Sequence, residues 1–89
     1  MVELNHNVAS INSDTAIKGG HGVIVSVHCT KAGGSGAKVI LKNGTSGSGT
    51  AEFTVFGEST GAYLNLHRRF ESGIYADVTG SAEYLIVYK

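Results

Sequence analysis

The chain has 89 residues, enough for one domain, and its seven basic and seven acidic residues cancel at neutral pH. A neutral chain without a basic run has little electrostatic attraction for nucleic acid or an anionic membrane, so we expect neither as a partner. No apolar run approaches the roughly 18 residues of a membrane span, and residues 1–5 lack the character of a signal peptide. Thirteen glycines without a proline, beside many β-branched residues, favour short strands joined by glycine turns.

Residues 1–13 are predicted to form an N-terminal arm or edge strand, followed by a single domain over residues 14–89. Val2, Leu4 and Val8 alternate loosely with polar side chains, which makes the segment too polar for a core strand. The segment either rests on a neighbouring subunit or frays as a terminus, and its residue pattern is compatible with both interpretations.

Residues 21–31 form the longest β-branched stretch, and we expect the other strands to pair with it or pack over it. Side chains in a strand alternate between faces, so a period of two predicts one buried face. The predicted inward residues are Val23, Val25, Val27 and Cys29. The predicted outward residues are Ile24, Ser26, His28 and Thr30.

Turn signals recur about every 8–12 residues along the chain, a spacing that is typical of sandwiches and barrels. The other strands are predicted at residues 15–18, 37–43, 50–56, 61–67, 73–78 and 82–88. We therefore predict an all-β antiparallel sandwich of jelly-roll or Greek-key type with seven or eight short strands. Its predicted core is Val23, Val25, Val27, Val39, Leu41, Phe53, Val55, Leu64, Leu66, Ile74, Leu85 and Val87.

Residue types that carry chemistry are scattered in this sequence. Cys29 is the single cysteine and falls at an inward position, which favours a small buried hydrophobe. The histidines at positions 6, 21, 28 and 67 show no metal-ligand spacing, and the glycine cluster at 32–36 lacks the Lys-Ser/Thr pair of a phosphate loop. We expect no enzyme activity, no cofactor and no metal.

The last strand is apolar on both faces, with Tyr84, Ile86 and Tyr88 on one and Leu85 and Val87 on the other. Such a strand is covered on both sides, and exposed apolar patches mark contacts. We therefore predict self-association with closed symmetry, with a trimer favoured. Because Tyr and Arg are enriched at interfaces, the predicted contact residues are His28, Arg68, Arg69, Tyr84, Ile86 and Tyr88, with Leu4 and Val8 from the arm.

Two runs, residues 37–53 and 66–88, carry a strand, an Asn-Gly-Thr-Ser loop, a Phe-Glu-Ser-Gly-Ile-Tyr corner, a Thr-Gly turn and a closing Val-Tyr strand. In this pattern, residues 21–88 resemble small β-sandwich virion proteins of tailed bacteriophages. The resemblance implies a capsid decoration, cement or head–tail accessory protein, assembled in the host cytoplasm with the major capsid or another virion protein as partner. It supplies no catalytic residues.

A second hypothesis is a small carbohydrate-binding sandwich of the lectin kind. Its site would place an exposed aromatic residue, Tyr63 or Tyr75, beside Asn65, Asp77 or Glu58. Lectin-like sites often use tryptophan as the aromatic platform, and this chain contains none.

Overall fold

The computed structural model describes residues 6–63 and 66–89, apart from the side chain of Tyr63, and their regular structure consists of strands alone. The strands of this part of the chain are β1 (Asn7–Ile11), β2 (Thr15–Gly19), β3 (Gly22–Lys31), β4 (Lys38–Asn43), β5 (Thr50–Phe56), β6 (Gly61–Tyr63), β7 (Arg68–Phe70), β8 (Gly73–Thr79) and β9 (Glu83–Tyr88). Within the same residues no helix is long and apolar enough to cross a membrane.

The strands form two antiparallel sheets that enclose one core. The five-stranded sheet has the order β1-β9-β3-β6, with β7 also paired to β3, and the four-stranded sheet has the order β2-β8-β4-β5. Because β6 and β7 pair with different parts of β3 on the same side, they share one position in the sheet. With these two merged, the order is that of a jelly roll, and the predicted fold class is confirmed.

Nine strands are seen where seven or eight were predicted. Of the predicted strand over residues 61–67, Gly61–Tyr63 forms β6, and the additional strand β7 (Arg68–Phe70) lies beyond that prediction. His67, immediately before β7, has a backbone φ of 47°. This left-handed conformation is incompatible with an extended strand, so His67 is not part of β7.

The core lies between the two sheets, and its large members are completely shielded from solvent. The largest buried side chains are Tyr84, Phe70, Ile24, Leu41, Ile74, Ile86, Val27, Val39 and Val55. Five of the predicted core residues are therefore confirmed: Val27, Val39, Leu41, Val55 and Ile74. Phe53 and Leu66 are partly buried against the core, and Leu64 lies outside the described residues.

A β-bulge in β3 changes which residues of the central strand face inward. Ile24 pairs with Tyr88 and Ser26 pairs with Val87, so Val25 is an extra residue without a partner of its own in β9. An extra residue shifts the side-chain alternation by one position.

The prediction of which β3 residues face inward is consequently right after the bulge and wrong before it. Val27 and Cys29 are buried in the core, as predicted. Before the bulge, however, Ile24 is the buried residue, whereas Val23 and Val25 are only half-buried. A bulge depends on pairing with a strand distant in sequence, so the local pattern of β3 could not indicate it.

Side-chain acceptors fasten two turns to neighbouring strands. Asp14, between β1 and β2, accepts a hydrogen bond from the backbone N–H of Val78 at 2.7 Å. Asn43, at the end of β4, accepts one from the backbone N–H of Ser72 at 2.8 Å. Each bond satisfies a backbone donor that is free of the sheet ladder at that point.

Candidate interaction surface

β9 lies between β1 and β3 in the five-stranded sheet, so both of its edges are paired. Its side chains alternate between the two faces of that sheet. Tyr84 and Ile86 point into the core and have no exposed surface, whereas Leu85 and Val87 lie on the outer face and are half-buried. In the described chain, no third layer covers this outer face.

Aliphatic side chains from three adjacent strands meet on this outer face. Val8 of β1 lies opposite Val87 of β9, and Val87 lies opposite Ser26 of β3, beside the bulged Val25. Val8 is 58% exposed, although it is a large aliphatic residue. We call this surface the outer patch and define it as Val8, Val23, Val25, Leu85 and Val87.

Two polar side chains that neighbour the outer patch, Ser26 and His28, lie within hydrogen-bond distance of each other. His28 lies opposite Leu85 in register, and its Nε2 is 3.3 Å from the Oγ of Ser26. Ser26 is only 7% exposed, so neighbouring side chains already shield it. Because this hydrogen bond is made within the chain, Ser26 and His28 would keep each other as partners if the patch were covered.

The outer face of the four-stranded sheet has a different character. Lys42 Nζ donates hydrogen bonds to Asp77 Oδ2 and to the Gly47 carbonyl oxygen, both at 2.7 Å. The Lys42 side chain is 15% exposed. A partner covering this face would have to desolvate an ion pair, whereas the outer patch presents aliphatic groups.

Three of the predicted contact residues lie on the core side of the five-stranded sheet. Tyr84 and Ile86 were predicted to lie on a contact surface, but the structure places both in the core, and Tyr88 is half-buried against it. Leu85 and Val87, assigned to the core, lie outside. Both faces of β9 are apolar, so hydropathy alone could not choose between them, and the larger side chains fill the space between the sheets.

The remaining predicted contact residues are dispersed. Val8 and His28 lie on the outer face of the five-stranded sheet, whereas Leu4 is outside the described residues. Arg68 Nη2 donates to Glu52 Oε1 at 2.8 Å and so links β7 to β5 of the other sheet. Arg69 is exposed opposite Val23, at the border of the outer patch.

A shallow cavity of about 270 Å³ lies where the chain crosses from β5 to β6. It is lined by Cys29, Phe56 and residues 58–62. Phe56 is 60% exposed, and the Glu58 carboxylate accepts a hydrogen bond from the Gly36 backbone N–H at 2.6 Å. Sequence reasoning overlooked Phe56, although Val55 and Phe56 are adjacent, so one of them must face outward.

Tyr84 carries a buried polar group close to Cys29. Its hydroxyl has no hydrogen-bond partner within residues 6–63 and 66–89, and the two residues are opposite each other in register. Burial raises the pKa of the Tyr84 hydroxyl above its ordinary value of 10.0, and the nearby Cys29 raises that pKa further. The Cys29 thiol donates to the Lys31 carbonyl oxygen at 3.5 Å.

The histidines are not gathered at one place. His6, His21 and His67 are exposed, whereas His28 belongs to the outer face of the five-stranded sheet. Across the described ranges, no three His, Cys, Asp or Glu side chains form a group that could hold a metal ion.

The fold and this surface define an all-β, two-layer protein with one apolar outer face. Comparisons with protein-family profiles, with curated proteins and with solved structures find no match for the chain.

Proposed function

We propose that this chain is a non-enzymatic structural protein of a tailed-bacteriophage virion, acting by self-association and by binding to the shell. Its role would be that of a capsid decoration or cement protein, or of a head–tail accessory protein. The partner would be the major capsid protein or another virion protein. The resemblance of residues 21–88 to small phage sandwich proteins suggests this class, and the outer patch is the observation that carries the mode of action.

The outer patch suits contact better than chemistry. Aliphatic side chains neither transfer protons nor bind ions, but removing them from water favours association by about 25 cal/mol per Å², before the entropic cost of association is subtracted. Val8 alone leaves 58% of its surface in solvent. Charged residues such as Arg69 and the exposed Lys31–Glu83 pair lie at the border, an arrangement that resembles the polar rim of an interface.

The small size of the domain also supports the proposed self-association. A chain of 89 residues buries only about 60–65% of the surface that its unfolded form exposes. Contact with another copy or with the shell adds buried area without new chain entropy beyond that of association. Closed symmetry is usual for oligomers, and the trimer expected from the sequence stays a prediction.

Mass spectrometry of gradient-purified virions tests the assignment to a particle. Virions of the phage that encodes the chain should contain it in a constant ratio to the major capsid protein. A chain found only in the soluble fraction of the lysate, and not in the particles, would overturn the proposal.

A paired-variant experiment tests the surface. V25T/V87T keeps the side-chain shapes of the outer patch but makes it more polar, and I40T introduces a smaller, more polar side chain on the outer face of the four-stranded sheet. We expect V25T/V87T to bind particles that lack the protein about tenfold more weakly than wild type, because apolar contact area is lost. I40T should co-sediment like wild type, and equal loss by both variants would contradict a role for the patch.

Carbohydrate binding is the second candidate, and the cavity beside Phe56 is the observation that favours it. The exposed ring could stack on a sugar while the Ser59 and Thr60 hydroxyls and Glu58 supply hydrogen bonds. Of the aromatic residues named from the sequence, the Tyr63 side chain and neighbouring Asn65 lie outside the described residues, and Tyr75 is on the four-stranded sheet. A glycan array without hits, or unchanged binding by F56A, would remove this candidate.

A further inference from the structure

Most sheet edges of this sandwich carry features that prevent pairing with another chain. In β2, Ile17 is an extra residue and Lys18 adds a charge. In β5, Glu52 is both an extra residue and charged. β6 and β7 are three residues long, and β7 contains Arg68 and Arg69. Bulges, charges and short length are the usual means by which edge strands avoid association.

β1 is the exception among the described strands. Its five residues, Asn-Val-Ala-Ser-Ile, contain neither a charge nor a proline. They keep an unbroken register with β9, from Asn7 opposite Tyr88 to Ile11 opposite Tyr84. In the described part of the chain no strand pairs with the other side of β1. This edge therefore presents a regular row of backbone donors and acceptors to its surroundings.

We propose that β1 pairs antiparallel with β1 of a second copy of this chain, about a two-fold axis near Ala9. The inference rests on the proposed self-association and goes further by naming the edge and the symmetry, with a two-fold dimer in place of the trimer expected from the sequence. The five-stranded sheets of the two copies would then form one continuous sheet. Since the axis is perpendicular to that sheet, both outer patches lie on the same side and join into one surface.

A second copy is the partner that this edge fits best. With Ala9 at the axis, all five residues of each strand find a partner, Val8 lying opposite Ser10 and Asn7 opposite Ile11 of the other copy. No like charges meet in this register, and small side chains at the centre allow close approach. Main-chain hydrogen bonds supply affinity in such strand addition. On a particle, a high effective concentration would strengthen a contact of this modest length.

Sedimentation equilibrium of the full chain tests the pairing, since exposed Val8 and Ser10 can be replaced without opening the core. V8K/S10K would place introduced lysines opposite each other twice in the dimer, whereas V8K/S10E would place opposite charges together. We expect wild type to dimerise and V8K/S10K to dimerise at least about tenfold more weakly, with partial recovery at high salt. V8K/S10E should associate close to wild type, as should T50K/T54K, a control on the edge strand β5.

The outcomes separate this inference from the proposed function. A wild-type monomer at every concentration would overturn both the pairing and the self-association. A trimer, or a dimer that V8K/S10K does not weaken, would overturn the β1 pairing and leave self-association standing. Should V8K/S10K fail to fold by circular dichroism, hydrogen exchange of wild type decides instead. Amides of residues 7–11 should exchange more slowly as concentration rises, and unchanged exchange would overturn the pairing.

Discussion

Gly57 lies against the hydroxyl of Tyr84, so closely that a β-carbon at position 57 would overlap the phenolic oxygen and lie 2.7 Å from the Ala82 Cβ. Gly57 begins the crossing from the four-stranded to the five-stranded sheet. Its N–H donates to the Ala37 carbonyl oxygen at 2.8 Å, and its carbonyl accepts from the Gly33 N–H at 2.9 Å. These two hydrogen bonds hold Gly57 in place beside Tyr84.

The variant G57A should therefore be less stable than wild type by about 1–3 kcal/mol, the usual cost of overpacking. Urea denaturation measures this loss. G61A is the matched control, because a β-carbon at position 61 meets nothing within 4 Å. Adding Y84F to G57A should restore part of the stability by removing the overlapping oxygen, and a G57A protein as stable as G61A would contradict this account.

Removing the Tyr84 hydroxyl should leave the free energy of unfolding almost unchanged at neutral pH and should change it in alkali. Because this hydroxyl has no partner among the described residues, Y84F should lose no hydrogen bond and change the free energy of unfolding by less than about 1 kcal/mol. Burial raises the pKa of Tyr84 in the folded chain above 10.0, so the unfolded chain loses this proton first as pH rises. The contribution of Tyr84 to stability is thus complete below pH 10 and decreases above it.

The free energy of unfolding of wild type should consequently fall more steeply than that of Y84F between about pH 9 and pH 11. Urea denaturation of both proteins across this range measures the difference. All other residues are the same in both proteins, so the difference between the two curves reports on Tyr84. Parallel curves for the two proteins would show that the environment of Tyr84 does not differ between the folded and unfolded chains.

The ion pair between Lys42 and Asp77 should contribute more to the stability of the fold than the pair between Lys31 and Glu83. The first has a 2.7 Å contact and side chains that are 15% and 32% exposed, whereas the second has a 3.8 Å contact and exposures of 70% and 43%. We expect K42M to lose about 1–2 kcal/mol, because Asp77 is left partly buried without its partner. K31M should change stability by less than about 0.5 kcal/mol. Equal effects in thermal or urea unfolding would refute the difference.

The bulge at Val25 predicts unequal costs for truncating neighbouring residues. Ile24 has no exposed surface, so I24A should lose about 2–5 kcal/mol through lost burial and the cavity left behind. Val23 is half-buried on the outer patch, and V23A should lose about 1 kcal/mol. Equilibrium unfolding of both variants measures these losses. A larger loss for V23A would mean that the alternation of β3 is the one read directly from its sequence.

The candidate surface illustrates why only part of the site could be predicted. The apolar character of both faces of the last strand predicted a contact surface at Tyr84 and Ile86, whereas the residues on the outer face are Leu85 and Val87. The two sets differ by one position in a strand, and both are apolar. Which of the two sets faces inward depends on the space that the opposite sheet leaves, and the local sequence pattern does not indicate that space.

Alternating β-branched residues and glycine turns were sufficient, by themselves, to establish strands and an all-β sandwich, since both signals act over a few neighbouring residues. Only the assembled sheets decided the bulge at Val25, the left-handed backbone at His67 and the unprotected edge of β1. Each of these depends on pairing between segments far apart in the chain, where register and close packing outweigh local preference.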